Sequence, residues 1–227
     1  MIQHKFVNHL DTATERWVKF KNDATITKWS AVEQQTMIDD ISEEVDKRMV
    51  SMPSLPRNKH LAKCGITQSH YKLFKHIVKN KLNDVLILED DALQLNDLPR
   101  DYPKDHIVYI GGFFHQNKMM DKTPVNHISK EGINYCDNSF CIMMTMSYII
   151  PTWKVAEQIV NYMDNKKRWR SIDIMVWKCP VKKCYIYPAV YVEEETPSTL
   201  RKKRDKTNIH YQLIKWKQSY YDYHNGT

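Results

Sequence analysis

Glu89, Asp90 and Asp91 follow directly on the apolar run Val85-Leu86-Ile87-Leu88. Three adjacent carboxyl groups at the mouth of an apolar strand repel one another and lose hydration, and both effects disfavour ionisation. A bound divalent cation removes that cost. Carboxylate oxygens suit hard ions such as Mg²⁺ or Mn²⁺, which keep coordination positions free for phosphate oxygens. The competing assignment is the common fate of acidic clusters, as helix-capping or solvated loop residues.

The rest of the composition narrows the chemistry by exclusion. Only five glycines occur, and neither G-x-G-x-x-G nor G-x-x-x-x-G-K-[ST] is present, which argues against a Rossmann dinucleotide site and a P-loop. A protein that binds a diphosphate without a glycine cradle needs a metal and basic side chains instead. The net charge of +7 suits nucleotide phosphates, nucleic acid or a membrane surface without choosing among them. Part of that charge is the run Arg201-Lys202-Lys203-Arg204, for which a solvated surface run is favoured over a membrane or phosphate contact.

The acids must be held by the elements around them. The spacing of Leu61, Cys64, Leu73, Phe74, Ile77, Val78 and Leu82 predicts a long helix from Leu61 to Leu82. The continuous apolar run behind it, Asp84 to Leu88, predicts a strand buried on both faces. Helix followed by buried strand means α/β, and in an open α/β sheet ligands bind beyond the carboxyl ends of the strands, where the acids would lie. A first strand at Lys5 to Asn8 leads into a capped helix start over Asp11 to Trp17. Further strands are predicted at Ile26 to Val32, Ile107 to Ile110, Cys141 to Ile150 and Tyr185 to Pro188. Residues 33–52 read as partly helical, and Pro53 and Pro56 make the next stretch irregular. Trp153 to Met163 reads as an amphipathic helix, and Ser171 as the N-cap of a helix over 172–177.

A chain of 227 residues suits one large domain, since single cores grow to roughly 250 residues. Residues 1–200 are expected to form it, with 201–227 a basic and aromatic tail packed on the domain or leading to a following one. No stretch reaches the ~18 apolar residues that a transmembrane helix needs, and nothing at the start reads as a targeting segment. The five cysteines are odd in number, which suggests reduced thiols in a cytoplasmic, reducing compartment without disulfides. Cys136/Cys141 and Cys179/Cys184 are each separated by four residues; buried free thiols are favoured over a zinc site.

Several separate blocks resemble glycosyltransferase family 25, which includes lipopolysaccharide-building and collagen-modifying enzymes. Phe6-Val7-Asn8-His9-Leu10-Asp11 with Glu15-Arg16-Trp17 is similar to the family's opening strand and Arg-containing turn. Cys64-Gly65-Ile66-Thr67-Gln68-Ser69-His70 resembles its Gly-Cys-x-x-Ser-His block, with the first two residues reversed. Leu86-Ile87-Leu88-Glu89-Asp90-Asp91-Ala92 resembles its acidic, DXD-like motif. Weaker matches are Ser147 to Ile150, Ile172-Asp173, Tyr187-Pro188 and Ser198, so the resemblance spans residues 4 to 200. The Lys- and Asn-rich texture fits small relatives in large DNA viruses, which would act in the host cytoplasm.

The resemblance implies a GT-A-type fold with a mostly parallel central sheet flanked by helices. It also implies Mn²⁺- or Mg²⁺-dependent transfer of a sugar from a nucleotide diphosphate donor, usually a UDP-sugar, to a glycan or glycoprotein hydroxyl. Asp91 is the direct metal ligand on this reading and so a catalytic group. Glu89 and Asp90 face the ribose, the metal or the donor sugar, Glu89 being the second metal ligand. Asn8, His9 and Arg16 are candidates for nucleotide contacts, although Arg16 could equally be a surface charge. Ser69 and His70 are expected just before the buried helix and near Asp90, with His70 either donating to a phosphate or serving structurally. Asp173 is the candidate catalytic base, set against a role in complementing its helix dipole; Glu193, Glu194 and Glu195 are a second source of a base. Trp153, Trp169 and Trp177 could stack on an acceptor sugar, with core packing favoured. No nucleic-acid partner is expected. The rival classes are a metal-dependent phosphoryl-transfer or nuclease enzyme, and a catalytically silent binding module.

Overall fold

The structure, a computed structural model, describes residues 1–9, 11, 13–31, 57–111, 113–116, 131–136, 140–143, 147–166, 169–187 and 190–193. Met1–Glu194 form one compact unit and Glu195–Thr227 a second. The second unit, which holds Arg201 to Arg204, lies outside the described residues, as do 33–52, the two prolines after them, Glu194 and Glu195.

Seven strands make the central sheet: β1 (His4–His9), β2 (Ile26–Ser30), β3 (Val85–Glu89), β5 (His106–Tyr109), β7 (Gly132–Tyr135), β9 (Ser147–Ile150) and β10 (Lys182–Tyr187). Their order is β2-β1-β3-β9-β5-β10-β7. β1 is parallel to both β2 and β3, and β5 is parallel to β10. β9 runs antiparallel to β3 and β5, and β7 antiparallel to β10. Five of the seven strands thus run one way, and β9 and β7 run against them. Strand direction depends on how distant segments connect, and β9 enters the middle of the sheet from the side opposite to its neighbours. Two small ribbons, β4 (Ala92–Gln94) with β11 (Tyr191–Glu193) and β6 (Phe113–Gln116) with β8 (Phe140–Met143), complete the strands. The expected single strand from Cys141 to Ile150 is thus two: β8 belongs to a ribbon and β9 to the central sheet.

Alternation along the strands divides the core in two. Phe6, Val85, Ile87, Ile107, Tyr109, Tyr148 and Ile150 face the helices α2 (Arg57–Lys79), α3 (Trp153–Asp164) and α4 (Ile172–Lys178). Val7, Leu86, Leu88, Val108 and Ile149 face the other side, against Phe20, Ala92, Tyr102 and Tyr191. Both faces are covered, which is why β3 reads as an unbroken apolar run. The short helix α1 (Thr14–Trp17) starts after Ala13 with no side-chain cap, and Asp11 pairs instead with Lys28. Ser171 does occupy the N-cap of α4, but its side chain makes no capping bond; only its carbonyl is used, by the Met175 N–H.

The two ends of the sheet differ in character. At the amino end of β3, Asp84 holds three segments together from a left-handed backbone, φ 53°, a conformation that Asp tolerates better than most residues. Its carbonyl accepts from the N–H groups of Gln3 and His4, and its own N–H donates to the Pro151 carbonyl. Its carboxylate accepts from the Tyr102 hydroxyl at 2.9 Å and from Lys104. At the carboxyl end of β5 the chain passes so close to β9 and β11 that a Cβ on Gly111 would lie 2.3 Å from Ser147 Oγ and 2.6 Å from the Tyr191 carbonyl oxygen. Only glycine fits there.

Burial opposes ionisation of Asp84, but the hydrogen bonds from Lys104 and Tyr102 outweigh it and hold the carboxyl below its usual range. A depressed folded-state pKa stabilises the fold above the unfolded group's pKa, and that contribution disappears as pH falls through the folded value. Asp84→Asn should therefore cost about 1 kcal/mol at neutral pH. The gap from wild type should narrow as pH falls below the ordinary carboxylate range, as read by urea unfolding at neutral and at strongly acid pH; an equal loss at both would refute the ionic contribution.

Candidate functional site

The strand order β2-β1-β3 makes the boundary between β1 and β3 the place where the chain's winding reverses, and crevices at such points bind ligands beyond the carboxyl ends of the strands. Asn8 and His9 end β1 there, Glu89 ends β3, and Asp90 and Asp91 form the turn that follows. Because side chains alternate, the acids part company. Glu89 continues the row Val85, Ile87 towards α2, while Asp90 falls on the side of Leu86 and Leu88, towards α1.

Asp90 is buried, and both of its oxygens are engaged. Arg16 Nη1 donates to Oδ1 at 2.8 Å, and His9 Nδ1 donates to Oδ2 at 3.0 Å. The His9 ring in turn packs on Trp17, with centroids 5.3 Å apart. Burial works against the charge on Arg16, but the Asp90 hydrogen bond and the charges of Asp90, Asp91 and Glu15 prevail and raise its pKa. Arg16 is not the surface charge that its position on a short helix allowed: it is 8% exposed, and its guanidinium spans Asp90 and, at 3.8 Å, Asp91 Oδ2. The motif's central acid is thereby anchored, leaving Glu89 and Asp91 as its more accessible carboxylates, with side chains 26% and 15% exposed.

On the opposite face, Ser69 and His70 lie well inside α2 rather than before it, because the helix begins at Arg57. The Ser69 hydroxyl donates to the Gly65 carbonyl one turn back, at 2.8 Å, and its own carbonyl accepts from the Trp29 indole. His70 is fully buried and approaches Glu89 rather than Asp90: Nε2 is 3.8 Å from Glu89 Oε1. Its other nitrogen, Nδ1, is 2.7 Å from the Tyr148 hydroxyl. Asn8 stands opposite Glu89 in the β1–β3 register, and its buried Oδ1 has no hydrogen-bond partner among the described residues. Tyr148 joins this cluster unannounced by the sequence, where only the short block Ser147 to Ile150 drew notice. Its place follows from the β3–β9 register, which sets it opposite Ile87, two residues before Glu89 on the same face.

The remaining candidates make no described contact with the acidic motif. Asp173 sits in the first turn of α4, half-buried, and its carboxylate accepts from the Ile174 N–H at 3.0 Å, with no bond to the acidic motif. Trp169 is a core residue whose indole donates to the Met163 carbonyl, while Trp153 and Trp177 pack half-buried against the same core. Cys64, Cys179 and Cys184 are buried as small apolar residues. Among the described residues no three His, Cys, Asp or Glu side chains converge on a point that could hold a metal ion.

Removing one partner of a buried ion pair leaves the other charge stranded. Arg16→Met should cost about 3–5 kcal/mol in urea unfolding. The double variant with Asp90→Asn should lose less than the sum of the two single variants by about 1–3 kcal/mol; additive losses would show that the pair is not coupled.

The chain's similarity to known proteins agrees with this arrangement. Residues 2–176 match the family described as glycosyltransferase family 25 (LPS biosynthesis protein). That stretch runs from the start of β1 into α4 and includes every residue of the two clusters; Tyr187, Pro188 and Ser198 fall beyond it. Compared with curated proteins, the chain finds no match. With more than half of its length matched, and the opening strand, the Ser-His helix and the acidic strand end all inside the matched region, the chain belongs to glycosyltransferase family 25.

Proposed function

We propose that this glycosyltransferase has a GT-A-type fold and is metal-dependent, moving a sugar from a nucleotide diphosphate donor, a UDP-sugar in the first instance, to a hydroxyl of a glycan acceptor. The observation that carries the proposal is the division of labour at the end of β3. Asp90 is tied off by Arg16 and His9, while Glu89 and Asp91 keep partly exposed carboxylates at the β1/β3 crevice. Two carboxylates without a full protein cage suit Mg²⁺ or Mn²⁺, which take one or two carboxylates and complete their shell with substrate phosphates and water. Asp91 and Glu89 would hold such an ion, and when bound it would offset the charge developing on the diphosphate as the glycosidic bond breaks.

The chain's own groups supply the rest. The orphan Oδ1 of Asn8, beside Glu89 in the register, offers an acceptor to a hydroxyl or N–H of the nucleotide or sugar. Arg16, 3.8 Å from Asp91, brings positive charge to the same edge and steadies the loop that carries Asp91. Asp173 is kept as the base that takes the acceptor's proton, its carboxylate being half-buried at the start of α4 rather than locked in an ion pair. No helix among the described residues is long and apolar enough to cross a membrane, and the buried thiols fit a reducing, cytoplasmic setting.

Purified protein mixed with Mn²⁺ and a panel of nucleotide sugars should bind at least one of them by calorimetry and hydrolyse it slowly. Asp91→Ala should weaken that binding by at least about tenfold, or 1.4 kcal/mol. Binding that ignores the metal, or an Asp91→Ala variant that binds as well as wild type, would overturn the assignment; binding without any turnover would favour the silent module. For Asp173 the readout is turnover: Asp173→Asn should lower kcat by about 100-fold or more with little change in donor binding, and full activity would remove it as the base.

A further inference from the structure

We infer that Tyr148 is a positioning residue for Glu89, acting through His70, whose imidazole it fixes as the tautomer with hydrogen on Nε2. The inference deepens the proposed function, on which it rests for what Glu89 holds.

The hydrogen-bond options inside the cluster are few. His70 is 0% exposed, its ring stacks on that of Tyr148 with an interplanar angle of 25°, and the Tyr148 hydroxyl lies 2.7 Å from Nδ1. In a neutral imidazole one nitrogen donates and the other accepts. If Nδ1 carried the hydrogen, it would donate to the phenol oxygen. The phenol hydrogen would then be buried with no described acceptor, and the bare Nε2 lone pair would face the Glu89 carboxylate at 3.8 Å. Both consequences are unfavourable in a buried cluster. If instead the phenol donates to Nδ1, its hydrogen is satisfied and Nε2–H points at Glu89 Oε1. Burial first, then the neighbouring Tyr109 and Glu89, push ionisation of the Tyr148 phenol well above its usual range, so the hydrogen needed for that bond is retained.

Nε2 is a buried nitrogen with no hydrogen-bond partner among the described residues, and only the second assignment turns a donor rather than a lone pair towards the carboxylate. A shift of about 0.9 Å would bring Nε2–H and Oε1 to hydrogen-bond distance. A donor aimed at one oxygen orients the carboxylate, as outer partners do for ligating groups elsewhere. The registers place each part: Tyr148 opposite Ile87, Glu89 two residues beyond it, and α2 laying His70 across both.

The tautomer is read in the ligand-free protein by long-range ¹H–¹⁵N spectra at neutral pH, with the His70 signals assigned by their loss in His70→Gln. Wild type should show hydrogen on Nε2 alone, and Tyr148→Phe, checked for folding by circular dichroism, should shift the population towards Nδ1–H. Calorimetry with Mn²⁺ and UDP should show Tyr148→Phe binding about 3- to 30-fold more weakly than wild type. A glutamine at 70 can present an amide N–H where Nε2–H stood, so adding Tyr148→Phe to His70→Gln should change binding no further. Hydrogen on Nδ1, or on both nitrogens, in wild type would overturn the inference, as would an equal effect of Tyr148→Phe in both backgrounds. If wild type binds no nucleotide, the proposed function fails, while the spectra still decide the Tyr148–His70 relation.

Discussion

The ion pair between Arg16 and Asp90 is the contact on which the geometry of this end of the sheet depends. A buried carboxylate next to two other acids would be strongly disfavoured alone; with Arg16 on one oxygen and His9 on the other it becomes a fixed point. The pair also bridges sequence positions far apart, fastening the turn after β1 to the end of β3. A buried pair of this kind contributes little net stability compared with apolar packing, and its better-attested value lies in specifying one arrangement. Here the arrangement specified is the direction in which Asp91 leaves the strand.

The strand pleat then does the sorting. Glu89 faces α2 from the end of the strand while the turn after it carries Asp90 and Asp91 to Arg16, so three consecutive acids acquire three different environments: a closed ion pair, a partly exposed carboxylate near Arg16, and a carboxylate approached by a buried histidine. No charge difference among the side chains themselves would produce that separation. It comes from the strand, which sets Glu89 towards α2, and from the turn beyond it, which brings Asp90 and Asp91 to Arg16.

Much of this was legible in the sequence. The apolar run before Glu89 announced a strand covered on both faces, and the rows Leu73, Phe74, Ile77 announced the helix over it, because burial patterns are local and periodic. What depends on distant pairing was not legible. The direction of β9 and the break between β8 and β9 are set by which strands they join, and the apolar residues of 141–150 look alike in either case. The first turn of α2 was hidden because Arg57 to His60 are polar; Ser69 and His70 fall inside even the helix read from Leu61, and it was the likeness to the family's Ser-His block that had set them before it. The capping signal at Asp11 misled, because that side chain pairs with Lys28 and α1 begins after Ala13, whereas Ser171 does sit at the N-cap of α4, through its backbone alone. The role of Tyr148 needed the cross-strand register, which no spacing in one dimension reveals.

β10 lies between β5 and β7, yet it is made of residues 182–187, which follow the stretch shared with the family. The nascent chain must therefore wait. Until these residues leave the ribosome, the backbone groups of His106 to Tyr109 on that side have no strand to pair with, and half of the sheet carries an open edge of the kind that recruits unwanted strands. Assembly of the site-bearing half, β1 to β3 with α2, can precede this step, whereas closure of the far half is a late, long-range event. The chain thus separates in time what the finished sheet holds side by side.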